Sequence, residues 1–235
     1  MDPIKKQARV AGLLYLLTSI TAPFSLMYVP RALIVPGDAT ATANHLRASE
    51  TLFRLGIAGE LLGFAGFIFV VFALYRLFKD VNKQHALLMV TLFAVSVPIS
   101  FINVLNDIAA LILVSGADFL SAFERGQLDA LAMLFLRLHS NGFLVAEIFW
   151  GLWLFPFGLL VIRSGFIPRI LGVLLMIAGC AWPVNSFTSI VLPQYAHLVG
   201  QFARILELGE LPIIFWLLIW GAKARPINEL SGEGT

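Results

Sequence analysis

Apolar runs long enough to cross a bilayer recur along this chain with little between them, and that recurrence sets what it can fold into. About 20 helical residues span the hydrocarbon layer. Six segments reach that length: 10–29, 55–78, 86–115, 140–162, 170–192 and 204–222. Charged residues make up 13% of the chain, against about 25% in soluble domains. Mean hydropathy is +0.89. The runs consume nearly all 235 residues, leaving no room for a separate soluble domain. The expected fold is therefore all-α. Residues 1–235 should form one domain, a polytopic bundle of six transmembrane helices. Its basic start followed by the run 10–29 reads as an uncleaved first span, because that run exceeds the apolar core of a signal peptide.

Lysine and arginine in the short loops set the orientation. With the N-terminus inside, ten of the 16 basic residues fall on the inner side, Lys223 and Arg225 among them, and six on the outer. Both termini are expected in the cytoplasm. Residues 30–50, PRALIVPGDATATANHLRASE, form a polar outer loop with a turn signal at Pro36-Gly37-Asp38. Residues 117–138 either lie flat in the interface or extend the fourth helix outward from Asp129. Pro23, Pro98, Pro156, Pro183 and Pro212 fall within five of the six spans. Each removes a backbone donor and bends its helix. Gly59-x-x-x-Gly63 marks a close helix contact, expected within the chain.

The fourth run carries a carboxylate, Glu147, among tryptophans and phenylalanines. A charge at mid-bilayer costs about 2.5–3.5 kcal/mol on insertion scales, so such a group should face protein or a water-filled cavity. Four further acids, Glu60, Asp107, Glu207 and Glu210, sit in apolar runs. At 1.5 Å of rise per residue, all five lie about 5–13 Å below the outer boundary. Ser100, Asn103 and Asp107 form a stripe on one helical face. Arg54, Arg137 and Arg204 are the expected counter-charges, Arg204 one turn from Glu207. Two acids remain without an arginine, and a buried carboxylate lacking a partner either takes a proton or binds a cation. The expected pocket comprises Glu60, Asn103, Asp107, His139, Glu147, Trp150, Glu207 and Glu210. Trp150, at i+3 from Glu147, would wall it, and an acid beside an aromatic wall suits a cationic ligand.

The bland alternative is that these acids only pin helices together. His139, at the start of the fourth run, reads as a hydrogen-bonded structural residue, with a proton carrier or a mixed nitrogen–oxygen ligand as the functional reading. Nothing has the spacing of HExxH, so no metal site is expected. G-x-S-x-G and a nucleotide-binding glycine loop are absent from the sequence, and no cofactor is indicated. Cys180 is the sole cysteine, so no disulfide can form within the chain.

Three stretches carry a resemblance: ARVAGLLYLL at 8–17, LYRLFKDVNKQHALLMV at 74–90 and, most specific, GLLVIRSGFIPRILGVLLMIAG at 158–179. With them the chain resembles an uncharacterised family of bacterial multi-pass membrane proteins, domain of unknown function 4386. The resemblance implies a protein of the bacterial inner membrane with this helix count. It implies no activity, cofactor or catalytic residue. The leading expectation is binding or transport of a small or cationic ligand at an outward-facing acidic pocket, coupled to protons. An integral-membrane enzyme acting on a lipid or small molecule through carboxylates and His139 is the alternative, and a structural or regulatory membrane protein is the third reading. The bilayer is the expected partner, and no nucleic acid is.

Overall fold

A computed structural model describes residues 3–222. It is all-helical, with no strand among the described residues. Five helices are long and apolar enough to cross a membrane: Pro3–Leu33, Glu50–Phe78, Lys83–Ser115, Arg125–Ser164 and Arg169–Val191. The chain is a membrane helical bundle.

The first of these is not uniform. An α-helix, α1 (Pro3–Ser19), gives way to a π-helical turn at Pro23–Tyr28 and then to α2 (Val29–Leu33). Pro23 cannot donate to the i−4 carbonyl, and the wider π turn absorbs the lost bond. The segment expected as a polar loop is instead mostly helix. After a turn at Pro36 and Gly37, α3 (Ala39–Ala48) starts at Asp38, whose carboxylate accepts from the Ala41 N–H at 2.8 Å. Its Ala43 and Leu46 are buried against α5 and α6 residues, so an apolar stripe, invisible against the Thr/Ala background, turns the loop into a cap. Arg47 of α3 pairs with the buried Asp129.

Helices α4 (Glu50–Phe78) and α5 (Lys83–Ser115) follow, with Pro98 inside α5. The fourth run starts earlier than 140. Helix α6 (Arg125–Leu152) extends outward from Arg125, so residues 125–138 stand up rather than lying in the interface. It breaks at Trp153, and α7 (Leu154–Ser164) continues. The break falls three residues before Pro156, where the missing amide and the ring disturb the preceding turn.

Gly165, at φ 71°, ends α7 in the left-handed conformation that favours glycine. The chain then reverses into α8 (Arg169–Val191). The two arms meet backbone to backbone. A Cβ at Gly158 would lie 2.7 Å from the Gly172 carbonyl oxygen, and one at Gly172 would lie 2.6 Å from the Gly158 oxygen. One turn-pair further along, Gly151 and Gly179 repeat the contact. The most family-specific stretch is therefore a glycine seam closed by a tight turn.

The sixth expected span, 204–222, is not a sixth continuous apolar helix. Helix α9 (Ala196–Glu207) ends in a 3₁₀ turn, Leu208–Glu210, and α10 (Leu211–Ile219) resumes after it. Arg204, Glu207 and Glu210 make that stretch too polar, and Pro212 supplies the restart, since a first-turn proline lacks a donor the helix does not need.

The columns form a ring. Helix α1 lies against α4 and α10, α5 lies between α4 and α6, and α8 lies between α6–α7 and α9. Glycines along one face of α4 let the first column approach closely: Gly59 meets Ser25, Gly63 meets Thr21 and Gly66 meets Thr18. The Gly59–Gly63 contact is thus made within the chain. The ring closes where the Arg9 guanidinium donates to the Ile219 carbonyl at 3.0 Å and Gly221 sits against Lys5. One apolar cluster, including Ala11, Leu74, Phe78, Met89, Phe157 and Leu217, fills the end near the termini. A second, including Leu33, Leu46, Phe53, Val104 and Leu136, fills the opposite end.

Candidate functional site

Between the two apolar clusters, three helices converge on a buried polar group. Glu60 of α4, Asp107 of α5 and His139 of α6 are only 5%, 5% and 8% exposed. His139 Nε2 lies 3.0 Å from Glu60 Oε2, and its Nδ1 lies 3.5 Å from Asp107 Oδ1. One donor atom from each residue falls within 4.8 Å of the others. Asp107 Oδ1 itself has no hydrogen-bond partner. The group is held from behind. Asn103 Nδ2 donates to the His139 carbonyl at 2.9 Å, and Asn106 Nδ2 donates to Asn103 Oδ1 at 3.1 Å. Gly142 makes room for this, because a Cβ there would collide with the Asn103 amide. Phe143 packs edge-on against the imidazole with ring centres 4.6 Å apart.

Two cavities flank the group, and Glu60 lines both. A small void of about 40 Å³ is bordered by Ser25, Glu60, Asp107, His139 and Ser140 with apolar residues of α2 and α4 around them. A chamber of about 450 Å³ occupies the middle of the ring. Every column contributes to it: Tyr15 and Thr18, the π turn, Glu60 and Phe64, Phe93 and Ser100, Trp150 and Trp153, Trp182, then Glu207, Glu210 and Ile214. Its walls are largely apolar, with seven aromatic side chains among the lining residues. Trp150 meets Trp182 edge-on at 5.8 Å, and Phe67 meets Trp153 edge-on at 5.8 Å. Glu60, Glu207 and Glu210 reach the chamber, and no lysine or arginine among the described residues borders it. Tyr15 donates to Glu210, whereas Glu207 Oε1 and the Trp182 indole nitrogen have no hydrogen-bond partner among the described residues.

The expected pocket residues thus separate. Glu60, Asn103, Asp107 and His139 meet directly, while Trp150, Glu207 and Glu210 line the chamber. Glu147 stands apart from the lining of either cavity and accepts from Asn185 Nδ2 of α8 at 3.0 Å. None of the expected counter-charges forms an ion pair with these acids among the described residues, although the charge of Arg204 is felt at Glu207. Arg54 pairs with Glu50 one turn earlier at 2.7 Å, on the exposed face of α4. Arg137 is exposed, two residues before His139 and so on a different side of α6. Arg204 is exposed and makes no ion pair with Glu207 among the described residues. The group facing Glu60 and Asp107 is an imidazole. Asn185, Tyr15 and Ser25 escaped notice in the sequence. Ser25 and Tyr15 look like ordinary helix residues, and Asn185 gains its meaning only from packing across α8 and α6.

Because the two carboxylates and the histidine come from different helices, no linear spacing announced a metal site. The donors are 47 and 32 positions apart in order along the chain, so only the fold assembles them. Solved structures offer no match to this chain. An uncharacterised protein of Archaeoglobus fulgidus is 29% identical over 158 residues, which cover 67% of this chain and 78% of that protein. The sequence profile described as Domain of unknown function (DUF4386) matches residues 10–221. The glycine seam, the RSGFIP turn and most of the ring fall inside that match, and the chain belongs to this family.

Proposed function

We propose that the protein binds an amphiphilic, cationic small molecule within the bilayer. The observation that carries this reading is a chamber of about 450 Å³ with aromatic walls, bordered by three carboxylates and, among the described residues, no basic side chain. Aromatic faces attract a cation, by about 0.5–2 kcal/mol each depending on desolvation. Carboxylates without arginine partners supply the charge such a ligand would neutralise. Access from lipid is supported by the rim, where Met27 on one side and Leu208 and Leu211 on the other are exposed apolar residues. The π turn leans on α4 there, while α1 closes on α10 only lower down.

A quaternary ammonium carrying one benzyl and one short alkyl group, tested against its neutral carbon isostere, checks this reading. With Trp216 and Trp220 changed to phenylalanine, the remaining tryptophans, Trp150, Trp153 and Trp182, all line the chamber. The ammonium is expected to quench their emission saturably in nanodiscs. In a Glu207→Gln/Glu210→Gln variant its affinity should fall about tenfold, the equivalent of about 1.4 kcal/mol. Equal binding of the neutral isostere, with the variant unchanged, refutes the reading.

The placement in the membrane is part of the same proposal: an inner membrane, both termini cytoplasmic, and α9–α10 serving as a broken sixth crossing. Antiparallel contacts support it. Gly200 faces Asn185, Gly209 faces Leu174, and the last described residues return to the start of α1. Charge counts support the orientation, although Lys223 and Arg225 lie outside the described residues. In a Cys180→Ser background, Asn44→Cys and Gln194→Cys should react with an impermeant maleimide from outside. Gln84→Cys and a C-terminal tag should be reached only after permeabilisation. Labelling of the C-terminal tag from outside would leave five crossings, and the opposite pattern throughout would invert the protein.

A further inference from the structure

We infer that Glu60, Asp107 and His139 form a binding site for a divalent first-row transition ion of the zinc class. The charges argue for it first. Two carboxylates are enclosed by apolar clusters, and no lysine or arginine pairs with either among the described residues. An imidazolium would balance one of them. A divalent ion balances both and leaves the imidazole neutral, which is the form that ligates metals.

The donors argue for it second. One imidazole nitrogen and two carboxylate oxygens lie within 4.8 Å of one another. A tetrahedral ion with bonds near 2.0–2.2 Å needs donors about 3.3–3.5 Å apart, so the three must draw together to bind it. The ligand set is mixed nitrogen and oxygen without sulfur, which selects against copper(I). The imidazole selects against magnesium and calcium.

Independent observations point into the same space. Asp107 Oδ1, on a residue 5% exposed, has no hydrogen-bond partner and faces His139. Ser25 Oγ, on a residue 2% exposed, also has none and borders the same void. That void of about 40 Å³ is larger than the roughly 10–15 Å³ a water needs. Three protein donors with a space beside them leave a coordination position open. Asn103, through the His139 carbonyl, and Phe143, against the ring, hold the imidazole in place, as second-layer partners do in metal sites.

The site does not depend on the cationic-ligand reading, although Glu60 touches both cavities. Its test uses the full chain in nanodiscs after chelator treatment. His45, His85 and His197 are replaced by glutamine so that His139 is the sole histidine. Zinc titrated by calorimetry and checked by metal analysis should bind as one ion per chain. Affinity should drop about 100-fold or more in Asp107→Asn and in His139→Gln, while Glu147→Gln, off the site, binds as the parent does. Cobalt should give the visible bands of a four- or five-coordinate ion. If either site variant fails to fold, pulsed electron paramagnetic resonance of the copper(II)-loaded parent still decides the matter. Modulation from a single imidazole nitrogen is expected, and its absence overturns the site. A parent that takes up no ion, or site variants that bind it undiminished, overturn it equally.

Discussion

His139→Leu is expected to destabilise the protein by about 3–5 kcal/mol, the range found when one partner of a buried charged group is removed. The imidazole is the polar neighbour that Glu60 and Asp107 share, at 3.0 and 3.5 Å. Leucine fills much of its volume, so cavity formation contributes little and the stranded carboxylates dominate. Their contribution can be isolated by adding Glu60→Gln and Asp107→Asn. The triple variant should recover most of the loss, because neutral amides in the same positions need no counter-charge. Unfolding by heat in nanodiscs, with chelator present throughout, reads the difference without any metal contribution. If His139→Leu alone is as stable as the triple variant, the three residues are not coupled and the polar group does not hold α4, α5 and α6 together.

Gly158→Leu carries the second large effect, of about 3 kcal/mol or more. Overpacking usually costs about 1–3 kcal/mol where side chains can shift. At this position the new Cβ would meet a backbone carbonyl at 2.7 Å, together with Met176 Cγ at 2.7 Å. A methionine tip can move aside, but a helix backbone moves only with its whole column. The seam repeats at Gly151 and Gly179, so parting α7 from α8 also parts α6 from α8. Gly126→Leu is the matched control. A Cβ at Gly126 has nothing within 4 Å, and leucine is the better helix former by about 0.5–1 kcal/mol. The two substitutions should therefore move thermal stability in opposite directions. Equal effects would mean that the glycines serve flexibility rather than contact.

Hydrophobic run length revealed the helical class, and it placed the third and fifth segments within a few residues of α5 and α8. It failed where polarity and proline interrupt a column. Residues 204–222 carry enough apolar side chains to read as a span, yet Glu207, Glu210 and Pro212 divide them into α9 and α10. The 30–50 segment failed in the other direction. Its stripe of Ala43 and Leu46 is too short to register, and Asp38 caps a helix that only its packing onto α5 and α6 stabilises. Among polar residues, depth could be counted from helical rise, so Glu60, Asp107 and His139 were all noticed. Their partners could not be, since pairing depends on the rotation of each helix. Arg54 lies close to Glu60 in sequence, but its guanidinium reaches back to Glu50. Asn185 pairs with Glu147 across two helices, a relation with no trace in either run.

The meeting of Arg9 with Ile219 has a consequence for how the protein is made. Its first helix has as neighbour a segment 210 positions further along the chain, made long after it. Until α10 is made, α1 lacks the neighbour that closes its side of the ring. The stretch just before α10 brings Arg204, Glu207 and Glu210. In the finished ring Tyr15 donates to Glu210, and Asn185 of α8 lies beside Gly200. The chamber therefore cannot be completed early: a chain halted before residue 211 would lack Leu211 and Ile214 of its lining.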